Sequence, residues 1–252
     1  MTVQYCSDLH LEFPENQKWV ANNPIEPFGN ILILAGDIVS FAAMGKRQYF
    51  FDYVADNFEI TYWIPGNHEY YDSDIAKRTG AFQEKIRENI FLVNNQAIVH
   101  DETKFIFSTM WSAISELNQW KIGNYISDFR TIRYNDKMFT VENFNELHKA
   151  SREFITDELE KHWNGNKVVV THHVPTFMNY PKKYKGDSLN EVFAVELGDL
   201  IERTKPDYWI YGHHHNNTAP FSIGETMLLT NQLGYVHHHE HGQFDASKHI
   251  SL

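Results

Sequence analysis

The chain has 252 residues, no Ser/Gly/Pro-rich linker, low-complexity tract or internal repeat, and reads as one domain spanning residues 1–252. Its formal net charge of −11, from 22 Lys and Arg against 33 Asp and Glu, argues against long nucleic acids as partners, because a duplex-binding surface needs clustered cations. No stretch approaches the roughly 20 apolar residues of a membrane span, and the first residues show no basic segment followed by an apolar core, so a cytoplasmic protein without membrane contact is expected.

Val3 to Cys6 is a short apolar run that predicts a first strand. It holds the only cysteine, Cys6, which rules out an internal disulfide and reads as an inert packed thiol. Asp8 and His10 follow, two apart, on one side of an extended strand end. Ile31 to Ala35 is a buried strand closing in Gly36-Asp37, and Gly45 to Asn57 predicts a helix that returns the chain to a strand at Ile60 to Ile64. That strand stops at Pro65, which has no N–H for the ladder, and Gly66 allows a sharp reversal that delivers Asn67, His68 and Glu69 to the rim. Strand, crossover helix and strand in succession imply a sheet that is at least partly parallel. From Ser73 a helix is expected, with Ile75, Phe82, Ile86 and Ile90 along one face. Phe91 to Val93, Ala97 to His100 and Phe105 to Ser108 then read as short strands. The fold class expected is α/β, a layered α/β/β/α sandwich with two mixed sheets flanked by helices.

Residues 110–138 have scattered aromatics and no steady period, and read as a long irregular excursion of the kind that shapes binding sites. Within it Asp128 and Arg130 form either a local ion pair or a substrate contact. Val141 to Trp163 predicts an amphipathic helix, with His148 a structural residue beside its apolar face. Lys167 to Thr171 is a further strand, discharging His172 and His173, and a helix is expected near Val192 to Thr204. Asp207 to Tyr211 leads into Gly212-His213-His214-His215, whose first and third histidines project together. Phe221 to Ile223 and Met227 to Thr230 read as a hairpin, and the tail histidines His237, His238, His239 and His241 as solvated or packing residues.

Five apolar strands therefore end in polar groups: Asp8 with His10, Asp37, Asn67 with His68, His172, and His213 with His215. In an open sheet flanked by helices, sites form at the carboxyl ends of strands. Nitrogen and oxygen donors without a thiolate suit Mn, Fe or Zn, with Mn expected first. There are too many donors for one ion, and Asp37, in the middle of the set, is a natural bridge between two. Two divalent ions carry four positive charges, of which two aspartates cancel two, leaving a pocket attractive to phosphate.

Asp8-Leu9-His10, Gly36-Asp37, Gly66-Asn67-His68-Glu69, His172 and Gly212-His213-His214-His215 stand in the motif order of the calcineurin-like metallophosphoesterase superfamily, which the chain resembles from Asp8 to His215. The resemblance implies that Asp8, His10, Asp37 and His215 hold one ion, that Asp37, Asn67, His172 and His213 hold the other, and that His68 is the catalytic acid. Ser40 stands where many relatives carry an acid or amide, which leaves the group orienting His68 unassigned. The arginines of the protein Ser/Thr phosphatases are missing, which points to a small phosphoester substrate and to no protein partner. The implied reaction is hydrolysis of a phosphate monoester or diester by a hydroxide bridging two ions. Alternatives using the same residues are a nuclease, a cyclic-nucleotide phosphodiesterase, a non-catalytic scaffold of this fold, or a zinc-binding or storage protein.

Overall fold

Along Ile31–Ala35 the side chains of Ile31, Ile33 and Ala35 enter one apolar layer and those of Leu32 and Leu34 another, so this strand is buried on both faces and needs partners on each. In the computed structural model, which describes residues 1–252, fourteen strands form. The first seven are β1 (Thr2–Cys6), β2 (Ile31–Ala35), β3 (Ile60–Ile64), β4 (Phe82–Arg87), β5 (Ile90–Asn94), β6 (Gln96–His100) and β7 (Thr103–Ser108). They are followed by β8 (Arg133–Tyr134), β9 (Lys137–Met138), β10 (Asn166–Thr171), β11 (Tyr208–Tyr211), β12 (Phe221–Ile223), β13 (Thr226–Thr230) and β14 (His249–Ser251).

One six-stranded sheet has the order β14-β1-β2-β3-β5-β4 and the other β12-β13-β11-β10-β7-β6. In each, four central strands are parallel and the two edge strands antiparallel. Between the sheets lie Val3, Tyr5, Ile33, Tyr62, Phe105, Phe107, Val168 and Ile210. Helices Pro14–Asn22 and Gln48–Asn57 cover the outside of the first sheet through Val20, Phe50, Phe51 and Val54. Helices Val141–Glu160 and Gly198–Thr204 cover the second through Ile155, Leu159, Leu200 and Ile201. The result is the expected α/β/β/α sandwich of two mixed sheets. No helix is long and apolar enough to cross a membrane. Cys6 is buried, and burial followed by the charge of Asp8 pushes its thiol pKa up.

Three expected elements need correction. The helix from Ser73 is absent: Ile75–Arg78 is a single 3-10 turn and Phe82–Arg87 is strand β4, paired antiparallel with β5. Phe82 and Ile86 are four apart, a spacing that fits a helix face and one side of a strand equally, and Gly80 at φ +70° breaks the segment before either can extend. The helix near Val192 to Thr204 is regular only over Gly198–Thr204. The excursion 110–138 is also more ordered than its lack of period suggested. It carries helices Gln119–Tyr125 and Asp128–Thr131, and its Trp111, Ile122 and Phe129 pack with Phe139 on Phe144 of the long helix.

Glu69, expected on the rim, is fully buried. Its carboxylate accepts hydrogen bonds from the backbone N–H groups of Asp37 (2.9 Å), Ile38 (2.7 Å) and Gly66 (2.6 Å) and from the Trp63 indole (3.0 Å). Burial, and after it the charge of Asp37, pushes the Glu69 carboxyl up to about 8, while the N–H donors favour the anion. One side chain thus satisfies the loops leaving β2 and β3 and fixes their separation. Replacing it by glutamine turns an NH2 group toward N–H donors, so both Glu69→Ala and Glu69→Gln should lose about 3 kcal/mol in urea unfolding. Wild-type stability in Glu69→Gln would show that Glu69 fills space and that its acceptor role is dispensable.

Candidate metal centre

Strands β1, β2 and β3 of the first sheet and β10 and β11 of the second deliver their carboxyl-end loops to one region. The loop after β1 keeps pairing with the loop after β2 through Asp8 N to Gly36 O and His10 N to Asp37 O, both 2.9 Å. The two sheets are joined there by His172 Nδ1, which donates to the Ala35 carbonyl at 2.9 Å, and by the His213 N–H, 3.1 Å from Asp8 Oδ1. Asp8 and His10 do not continue an extended strand. Asp8, His10, Asp37, His213 and His215 all have φ between +47° and +81°. Left-handed backbone at non-glycine residues costs energy and concentrates at functional sites. Gly36, at φ +90°, and Gly66 complete the cradle, since a Cβ at Gly66 would strike Asp37 Oδ1 and come within 2.6 Å of His172 Nε2.

Donor atoms of Asp8, His10, Asp37 and His215 lie within 4.8 Å of one another, and so do those of Asp37, His172 and His213. Asp37 belongs to both groups, with Oδ2 3.3 Å from His172 Nε2 and 3.8 Å from His10 Nε2. Asn67 lines the same cavity, its amide N–H2 donating to Asp128 Oδ1 at 2.9 Å and its buried Oδ1 left without any partner. His68 stands beside the first group with its backbone N–H on Asp37 Oδ1 at 2.9 Å.

The donor chemistry fits divalent ions. His10, His172 and His215 each commit Nδ1 to an oxygen acceptor, namely Glu12 (3.1 Å), the Ala35 carbonyl (2.9 Å) and Glu240 (2.7 Å). In the neutral ring Nδ1 then donates and Nε2 carries the lone pair. Yet His10 Nε2 faces His215 Nε2 at 2.9 Å, and His172 Nε2 faces His213 Nδ1 at 3.0 Å. Facing ring nitrogens at such distances share a cation, a proton or, when bound, a metal ion. The surrounding field favours one. Burial opposes charging His215, but hydrogen bonds to Asp8 and Glu240 outweigh it and hold the ring at about 10; Asp37 likewise outweighs burial and holds His172 at about 9.

Several contacts of the site lie outside the sequence reading. Glu12 Oε1 binds His10 Nδ1 and also His68 Nδ1, the latter at 3.0 Å, and these bonds outweigh burial to hold Glu12 at about 2. It supplies the orienting group that Ser40 could not; its place two residues after His10 was the available clue. Tyr235 OH is 3.1 Å from His68 Nε2, and the Tyr71 ring stacks on His68 at 4.1 Å. Asp128 does not form the ion pair with Arg130: it lines the cavity and accepts from Asn67 and from Tyr71 OH (2.7 Å), while Arg130 donates to the Tyr125 carbonyl. Glu12 and Glu240 add two carboxylates to the two aspartates, so a pair of divalent ions would leave the centre closer to neutral than the motif residues alone imply. Among the others, His148 donates to the Trp111 carbonyl at 2.7 Å, His173 contacts the Thr109 carbonyl, and His237, His238 and His239 are exposed.

Fold and site together define a metallophosphoesterase scaffold. The chain matches the calcineurin-like phosphoesterase family over residues 1–217 and belongs to that family of divalent-metal-dependent hydrolases. Protein L509 of Acanthamoeba polyphaga mimivirus is 30% identical over 279 residues, a match covering 99% of this chain and 96% of that one. Among solved structures, the phosphopantetheinyl hydrolase of Mycobacterium tuberculosis shares the fold, with a TM-score of 0.69 over 99% of this chain and 95% of its own at 14% identity.

Because Asp37 is common to both donor groups, Asp37→Asn should cost more bound metal than Asn67→Ala, whose position serves one group only. Elemental analysis of the purified variants decides this, and equal, near-full occupancy in both would show that Asp37 is not shared.

Proposed function

We propose that this chain hydrolyses a small phosphate ester in the cytoplasm, using two divalent ions, with manganese the first to test. Residues 1–252 are read as one domain, in which β14 pairs with β1 and so draws the last residues into the first sheet. The observation that carries the functional reading is the pair of facing imidazole contacts on either side of Asp37. Asp8, His10, Asp37 and His215 would hold one ion, and Asp37, Asn67, His172 and His213 the other. When bound, such a pair supplies Lewis-acid stabilisation to the phosphoryl oxygens and an acidified water as nucleophile.

The remaining residues position and move protons. Asp128 holds the Asn67 amide so that its oxygen turns inward, and Glu12 holds His10 and His68 through a single oxygen. Burial alone would lower the His68 pKa, but the charge of Asp37 and the bond to Glu12 raise it, which favours the protonated form an acid needs, with Nε2 turned to the pocket beside Tyr235. In the reaction water adds its oxygen to phosphorus, and the bond to the ester oxygen breaks with its electron pair going to that oxygen. His68 delivers the proton that converts it to the alcohol, and a proton from water returns to the base.

His68→Ala should retain both metals and lose about a hundredfold to ten-thousandfold on alkyl phosphates, with a much smaller loss on nitrophenyl phosphates, whose leaving group departs as the anion. Glu12→Gln should show the same ordering with a smaller loss. Equal losses of kcat/KM on both substrate types at matched metal content, or arrival of the His68 variant without metal, would show that His68 is not the acid.

A further inference from the structure

The cavity over the candidate centre measures about 400 Å³, far more than a phosphoryl group needs. Aromatic rings dominate its apolar wall: Tyr71, Tyr125, Tyr180, Tyr184, Phe193 and Tyr235. Its charged wall is acidic, with Asp128, Asp187 and Glu240 beside the centre and neither lysine nor arginine lining it. Asp128 is 1% exposed and its Oδ2, in this wall, has no hydrogen-bond partner. The nearest lysine-rich turn, Lys182–Tyr184, keeps the Lys183 ammonium 4.6 Å over the Tyr184 ring, outside the lining.

The walls belong to two excursions that are fastened together. Glu191 accepts from the Ser115 backbone N–H (2.8 Å), the Ser115 hydroxyl (3.1 Å) and the Asn118 amide (2.8 Å), and Lys121 donates to Ser188 Oγ at 2.6 Å. Tyr125 on one side and Tyr184 on the other are therefore held at set positions around the mouth, where they remain 63% and 37% exposed.

Resting on the phosphoesterase reading, we infer that the substrate is a phosphodiester with an uncharged aromatic or heteroaromatic substituent and no second anionic group. Two observations carry this. Glu12 and Glu240, with Asp8 and Asp37, set four carboxylates against the four positive charges of two ions and the His68 imidazolium, leaving one positive charge that a monoanionic diester matches better than a dianionic monoester. The aromatic wall offers ring faces on which a planar group stacks whatever its hydrogen-bonding pattern. Water adds to phosphorus, one P–O bond breaks with its electron pair going to the leaving oxygen, and the products are an alcohol or phenol and a phosphate monoester. That product is dianionic and is expelled by the same carboxylates.

The test uses the full-length, manganese-loaded protein and four substrates sharing one leaving group: the methyl, phenyl and 4-carboxyphenyl esters of 4-nitrophenyl phosphate, and 4-nitrophenyl phosphate itself. Each kcat/KM is divided by the uncatalysed rate. The phenyl ester should exceed the methyl and 4-carboxyphenyl esters by about tenfold each, with the monoester lowest. The double variant Tyr125→Ala/Tyr184→Ala should shrink the phenyl-to-methyl ratio severalfold, while Trp120→Ala, on the same helix as Tyr125 but outside the lining, should not. Equal phenyl and methyl rates, preference for the carboxylated ester or the monoester, or an unchanged ratio in the double variant would overturn the inference and leave the phosphoesterase reading standing. Inactivity on all four esters with metal bound would remove both.

Discussion

The buried carboxylate of Glu69 is the constraint on which the site depends. Strands β2 and β3 end side by side, and each leaves N–H groups that the sheet no longer satisfies. Glu69 collects three of them and the Trp63 indole, so the loop bearing Asp37 and the loop bearing Asn67 and His68 are held at one spacing. The chain thereby solves two problems with one residue: buried backbone groups are paired, and the donors that follow are set in place. A cost remains, since the carboxylate lies near Asp37 in a buried region, and both burial and that charge push its pKa up.

Around this clasp the two sheets meet through the candidate site itself. His172 reaches from the second sheet to the Ala35 carbonyl of the first, and Asp8 of the first accepts from His213 of the second. Site and inter-sheet joint are the same set of atoms. Left-handed backbone at five of the candidate ligands is tolerated because these cross-links over-determine it. Each imidazole with a committed Nδ1 presents Nε2 inward, which is the arrangement a cation would complete.

Much of this was legible in the sequence, because the strands feeding the site are apolar runs that give way to polar residues, with Gly36, Pro65 and Gly212 marking the ends of β2, β3 and β11. Ile31 to Ala35 and Val168 to Val170 could hardly be anything but buried strands, and the polar residues after them had one edge on which to meet. Residues far from any motif were not legible: Tyr235 and Glu240 reach the site from a tail with no periodic pattern, and the bond of Asp128 to Asn67 depends on an excursion whose core is built from non-local aromatic contacts. Phe82 to Arg87 was misread for a different reason, since a four-residue apolar spacing satisfies two periods and only pairing with β5 decides between them. Glu69 sits in a motif, yet its direction of approach to three backbone N–H groups depends on the fold.

The central claim is that Asp37 stands between two cation sites assembled by these strand ends. Anomalous diffraction from crystals grown with manganese tests it most directly. The account predicts two peaks about 3.5–4 Å apart flanking the Asp37 carboxylate, one against His10 and His215 and the other against His172 and His213. A single peak, or peaks away from Asp37, would contradict it.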